Sequence, residues 1–178
     1  MESVFYLKYG FYAVAAIAVI ATLLVIVQSN PVHALLYLIV SLLAIAVVFY
    51  LLGAPFAAAL EVIIYAGAIL VLFVFVIMML NVGADAVAAE RHLLRAGAWV
   101  GPLVLTAALL AELVYVLVVT EGRLPGSAAI ESKTVGVALF GPYLLGVELA
   151  SMLLLSGLVG ACHLGRHWNA RGRKTEEV

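Results

Sequence analysis

The segment Phe56-Ala-Ala-Ala-Leu-Glu-Val-Ile-Ile-Tyr-Ala-Gly-Ala-Ile-Leu-Val-Leu-Phe-Val-Phe-Val-Ile-Met-Met-Leu80 carries one charged side chain, Glu61, in 25 positions. A hydrocarbon core of about 30 Å is crossed by about 20 apolar residues in a helix, so the segment is long enough to span a bilayer. At about 1.5 Å per residue it reaches about 37 Å, so it must tilt, kink or extend past the lipid.

Read outward from that segment, the chain predicts an all-α, polytopic membrane protein with five transmembrane helices, at roughly 5–27, 31–52, 56–80, 98–119 and 137–163. Phe5, Tyr6, Tyr9 and Tyr12 form an aromatic girdle at the start of the first. Asn30-Pro31 opens the second, an N-cap residue followed by proline at the first helical position. Pro55 precedes the third, and Pro102 and Pro142 lie near the starts of the fourth and fifth. The connections Gln28–Asn30 and Gly53–Pro55 are tight, so the first three helices should be antiparallel neighbours. Those at 81–97 and 120–136 are longer and charged. The expected organisation is a single membrane domain, 1–165, followed by a short charged cytoplasmic tail, 166–178, with frayed structure.

The whole composition agrees. Hydrophobic residues make up 67% of the 178 and charged residues 11%, with mean hydropathy +1.25, against about 45–50% and about 25% in soluble domains. A soluble domain of this size leaves too much surface exposed to hide so much apolar area. The formal net charge of −1 gives nucleic-acid binding no electrostatic support. The lone Cys162 forms no internal disulfide and offers no metal cluster. The first apolar run is too long for an ordinary signal peptide and reads as a retained helix.

With an odd number of spans the termini face opposite sides. Arg91, Arg95, Arg166, Arg171, Arg173 and Lys174 then fall on one side, and Lys8, Arg123 and Lys133 on the other. Because basic residues favour the cytoplasm, the bias puts the C-terminus inside and the N-terminus outside.

Three carboxyls lie within apolar runs: Glu61, Glu112 and Glu148. Ionisable groups at membrane depth usually face a partner or a hydrated path. A carboxyl removed from water favours its neutral form, a property suited to proton exchange. The bland alternative is a neutral acid bonded to an adjacent helix. For Glu112, nearer the outer end of its helix, that or an interfacial position is preferred. Glu61 lies a turn or two inside the third helix, with Tyr65 at i+4 on the same face and Ala66, Gly67 and Ala68 directly after it. Small residues there permit close helix packing or mark a place where a π-bulge or kink can form. Composition alone favours packing. In the fifth helix Gly157, Ala161 and Gly165, with Gly160 beside them, read as a helix–helix interface.

His33 reads as an interfacial or capping residue. His163 and His167, four apart, could share a metal, but no carboxylate or thiol completes a set and favourable placement near a helix C-terminus accounts for them. There is no phosphate loop, no cysteine cluster for iron–sulfur and no nucleophile–base pair in a soluble loop. The chain therefore reads as one piece of a larger membrane assembly, with no metal site and no bound cofactor of its own.

Three blocks carry a resemblance: Asn30-Pro-Val-His-Ala-Leu-Leu-Tyr-Leu-Ile-Val-Ser-Leu-Leu-Ala44, Leu60 through Asn81 with its Glu-x-x-x-Tyr-Ala-Gly-Ala core, and Leu139-Phe-Gly-Pro-Tyr-Leu-Leu-Gly-Val-Glu-Leu-Ala-Ser-Met-Leu-Leu-Leu155. Together they closely resemble the J-subunit family of bacterial respiratory complex I, the proton-pumping NADH:quinone oxidoreductase, whose mitochondrial counterpart is NADH dehydrogenase subunit 6. The resemblance implies a multi-pass protein of the bacterial inner membrane, with five helices and the orientation read from the charges. It implies packing against the A, H, K and N subunits. It also implies a non-redox role: FMN, iron–sulfur clusters, NADH and quinone are handled elsewhere in the complex. It further implies that the third helix can carry a π-bulge around Tyr65–Gly67 and convert to a regular form, altering a hydrated path between the quinone site and the pumping subunits. Glu61, Tyr65, Gly67 and Glu148 are the residues carried over for the proton path or coupling. Gly157, Gly160 and Ala161 are expected to pack helices. Glu112 departs from the family pattern, where an apolar residue is usual. The rival readings are a structural scaffold subunit of the same complex and an independent small transporter. The transporter would normally show repeated segments with paired broken helices, and none is found.

Overall fold

The structure, a computed structural model, describes residues 2–80, 96–119 and 129–175, with backbone only at 2–7, 78, 80, 96–98, 119 and 166–175. Every regular element among them is helical. Five stretches are long and apolar enough to cross a membrane: Lys8–Val27, Pro31–Leu51, Pro55–Ile77, Trp99–Val118 and Leu144–Gly165. Helix is the form such sequences must take, because in hydrocarbon each backbone N–H and C=O has to be satisfied within the segment. Arg91, Arg95 and Arg123, used above for orientation, lie outside the described residues, as do positions 81–95 and 120–128 of the two charged connections.

The chain divides into two units, 1–131 and 132–178. In the first, the helix Glu2–Val27 packs along the helix Pro31–Leu51. Asn30 caps the latter, its Oδ1 accepting from the Val32 N–H at 2.9 Å, with Pro31 in the first turn where its missing N–H costs nothing. Gly53, at φ 81°, makes the turn into the third helix, a left-handed conformation that glycine adopts without steric penalty. The Gly53 carbonyl accepts from the Ile130 N–H at 3.0 Å, which ties the segment after the fourth helix to this turn.

The third helix, residues 55–80, is not uniform. It is α-helical over Pro55–Leu60, π-helical over Glu61–Ile69 and α-helical again over Leu70–Leu80. The fourth, Ala96–Val119, leans on both of the first two. Val14, Ala44, Val47 and Leu109 meet at the centre of this three-helix contact, with Val14 and Ala44 wholly buried. Most other large apolar side chains face outward, as expected where the surroundings are lipid or partner helices and not water.

The second unit holds the fifth span. Sequence places one helix at 137–163; the structure has two, Ser132–Leu139 and Leu144–Thr175, with a break at 140–143. Pro142 is the physical reason. It lacks the N–H that would bond the Ala138 carbonyl, which accepts instead from Tyr143 at 3.1 Å. The second of these helices continues as far as Thr175, through most of the stretch read from sequence as a frayed tail.

Candidate functional site around the third helix

Glu61, Tyr65 and Gly67 fall within one element, the π-helix Glu61–Ile69. At its C-terminal boundary the Leu70 N–H donates to the Tyr65 carbonyl, an i→i+5 bond in place of the i→i+4 bond of an α-helix. Stretches of this kind are rare and appear mostly as single-turn bulges inside α-helices, frequently at functional sites. The small residues explain part of its placement here. A Cβ built on Gly67 would stand 3.1 Å from the Val62 carbonyl oxygen, so any larger residue crowds the widened turn.

Glu61 is half-buried, while Tyr65 and Gly67 are exposed on the surface of this unit. Tyr65 shows half of its surface, so its phenol is available to a neighbour outside the chain. Glu148 belongs to the second unit. It is exposed on the helix Leu144–Thr175, and its carbonyl accepts from the Ser151 hydroxyl at 2.8 Å. Gly157, Gly160 and Ala161 lie on that same helix, all exposed. A Cβ at Gly157 or Gly160 would meet nothing within 4 Å, so neither packs within its own unit. Cys162 is exposed as well.

Beside the π-helix an apolar cleft of about 400 Å³ opens between the third and fourth helices, floored by the second. Ala46 and Val47 form the floor, Ala58 and Val62 one wall, Thr106 and Leu109 the other. The start of the π-helix therefore borders open space on one side.

Sequence patterning did not single out several polar contacts between helices. Thr22 and Ser41 place their hydroxyls 2.7 Å apart. The Tyr37 hydroxyl lies over Gly101, and the Glu112 carboxyl over Gly10. The His33 Nε2 atom is buried with no hydrogen-bond partner. Among the described residues no three His, Cys, Asp or Glu side chains gather as a metal site.

Comparison with known proteins gives one family. Residues 21–164 match the NADH-ubiquinone/plastoquinone oxidoreductase chain 6 family. Proteins named NADH-quinone oxidoreductase subunit J are similar over nearly their whole length. That of Pseudomonas aeruginosa is 60% identical over 161 residues, covering 90% of this chain and 97% of its own. That of Escherichia coli K12 is 54% identical over 164 residues, covering 92% and 89%. That of Buchnera aphidicola subsp. Schizaphis graminum is 51% identical over 160 residues, covering 90% and 98%.

Proposed function

The chain belongs to the NADH-ubiquinone/plastoquinone oxidoreductase chain 6 family, and from that premise we propose that it couples quinone reduction elsewhere in the complex to proton translocation through its third helix. It is a membrane subunit of an NADH-quinone oxidoreductase. In our reading it holds no catalytic site of its own, sits in the bacterial inner membrane with its N-terminus outside, and packs against the A, H, K and N subunits.

The observation that carries the reading is the π-helix Glu61–Ile69 with glycine at its crowded turn. Residues in an α-helix are spaced by about 100° and about 1.5 Å. Converting one π turn to α therefore re-aims everything beyond it by about 100°. The residues beyond it are Leu70–Leu80, which carry Phe73 and Phe75, both exposed. A local change in hydrogen bonding is thereby converted into a rotation of bulky side chains at a partner-facing surface. Glu61 and Tyr65 lie within the changing segment and supply groups that can line or interrupt a proton path. Coupling requires such an element with two states, each favoured by a different condition of a distant site. Glu148 is assigned a place on the same path because an exposed acid amid apolar surface demands a polar neighbour from another subunit.

The test is Gly67→Leu in the intact complex, measuring NADH-driven proton pumping in vesicles beside NADH:quinone turnover. The expected result is an assembled enzyme whose pumping falls relative to its turnover. Wild-type assembly, turnover and pumping together would overturn the mechanism.

A further inference from the structure

Two glycines elsewhere in the first unit are covered by polar side chains from neighbouring helices. Gly101, early in the fourth helix, lies beneath Tyr37 of the second; a Cβ at Gly101 would overlap the Tyr37 hydroxyl and stand 3.0 Å from its Cζ. Tyr37 itself is buried. Gly10, buried in the first helix, lies beneath Glu112 of the fourth. A Cβ there would come within 2.6 Å of the Glu112 Oε1 and 3.6 Å of the Val116 Cγ2. Gly101 and Glu112 are eleven positions apart in one helix, about 17 Å along its axis and so about half the hydrocarbon thickness.

We propose that these two contacts are pins that fix the axial register of the fourth helix against the first and second. Lipid tails are as apolar as leucine, so no hydrophobic driving force selects one register of apolar helices over another. Shape has to do it. Sliding the fourth helix by one turn, about 5.4 Å, can bring Leu105 to the place of Gly101 under the buried phenol. Sliding the first helix can bring Val14 to the place of Gly10 under the carboxyl. Neither residue leaves room for the side chain above it. The glycines also let a Cα–H approach the overlying oxygen, a weak contact that recurs at helix–helix interfaces. The role explains why an acid is tolerated in the span Trp99–Val118: its carboxyl is seated against a neighbouring backbone. The pinned helices are the first, second and fourth. The π-helical third is not among them.

The experiment uses the complete complex. Gly101→Val and Gly10→Val are each expected to lower the amount of assembled complex about tenfold by overpacking. Gly101→Val should be rescued by Tyr37→Ala and not by Glu112→Ala, and Gly10→Val by Glu112→Ala and not by Tyr37→Ala. In membranes, with Cys162→Ser and Glu112→Ala in the background so that a Cβ at position 10 has room, the pair Gly10→Cys and Val116→Cys should cross-link on oxidation, whereas Gly10→Cys alone should not. Absence of rescue, rescue by the wrong partner, or failure of the cysteine pair to cross-link each overturns the proposal. None of these readouts depends on proton pumping, so the pins can fail while the coupling role of the third helix stands.

Discussion

The hydroxyls of Thr22 and Ser41 lie 2.7 Å apart and join the first helix to the second within apolar surroundings. Both also reach the Ala18 carbonyl, Thr22 at 2.8 Å and Ser41 at 3.3 Å. Each hydroxyl has one proton to donate, so two of these three contacts are hydrogen bonds at any one time. Interhelical hydrogen bonds in membranes contribute about 0.6 kcal/mol on average, because separated helices find other partners. Ser41→Ala should therefore cost little, since Thr22 keeps its bond to Ala18. Ser41→Val should cost more, because Ser41 is buried and the added methyl groups have no room. Thermal denaturation of the purified complex checks the order; equal losses for the two variants would assign the effect to the hydroxyl that both remove and would exclude overpacking.

The second helix depends on its cap. Asn30 accepts from the Val32 N–H, and replacing an N-cap asparagine by alanine costs about 1 kcal/mol, whereas aspartate and serine preserve the acceptor. Asn30→Ala should lower the melting temperature of the complex and Asn30→Ser should largely keep it. The predicted difference disappears if the loop conformation, and not the bond, sets the helix start.

Ala44 and Ala59 test how space is distributed around the second helix. Ala44 is wholly buried in the three-helix contact, while Ala59 lines the open cleft of about 400 Å³. Ala44→Leu should destabilise by roughly 1–3 kcal/mol through overpacking, and Ala59→Leu should be tolerated. The amount of assembled complex recovered from membranes reads both. An Ala59→Leu loss as severe as that of Ala44→Leu would show that the cleft is filled by a partner in the assembly.

These predictions divide along the line between what the sequence discloses and what it hides. The five spans were legible because the bilayer imposes a length on each, and Asn30-Pro31 announced the second helix by local chemistry alone. The Thr22–Ser41, Tyr37–Gly101 and Glu112–Gly10 contacts were not legible: they join residues from different helices, and no periodicity within one helix encodes which residue of another will face it. Glu112 stands out in the sequence as an acid among apolar residues, yet its seat at Gly10 depends on the register of the first and fourth helices. The small residues Ala66–Ala68 permit close packing or an i→i+5 turn; composition alone favours packing, and only the family resemblance points to the bulge. At the fifth span Pro142 was visible, but reading it as an early-turn proline placed one helix where the backbone breaks.

That break makes its own prediction. Gly141 directly precedes Pro142, and a Cβ at Gly141 would stand 2.7 Å from the Val137 carbonyl oxygen. Gly141→Ala must therefore shift backbone, whereas Pro142→Ala restores an N–H to a turn in which the Ala138 carbonyl is already served by Tyr143. The glycine change should reduce assembly of the complex more than the proline change. Comparable assembly of both variants would mean that the turn accommodates a side chain at 141 by relaxing.

The last prediction separates coupling from scaffolding. Glu61 and Tyr65 lie in the π-helix, and Tyr65 is half exposed, so Glu61→Gln and Tyr65→Phe remove one ionisable or hydroxyl group each with almost no change in volume. Gly157 and Gly160 point into open space on the helix Leu144–Thr175, where a larger residue meets only whatever subunit lies against it. If the third helix couples the two processes, Glu61→Gln and Tyr65→Phe should leave assembly intact and lower protons pumped per NADH oxidised. A coupling free energy of about 1–3 kcal/mol is a typical upper scale for what such a change can remove. Gly157→Leu and Gly160→Leu should instead reduce the amount of assembled complex, with any enzyme that does assemble pumping at the normal ratio. The scaffold reading requires the first pair to be silent in both measurements. Parallel determination of assembled complex, turnover and pumping in the four variants distinguishes the two, because packing variants change how much enzyme there is and coupling variants change what each turnover accomplishes.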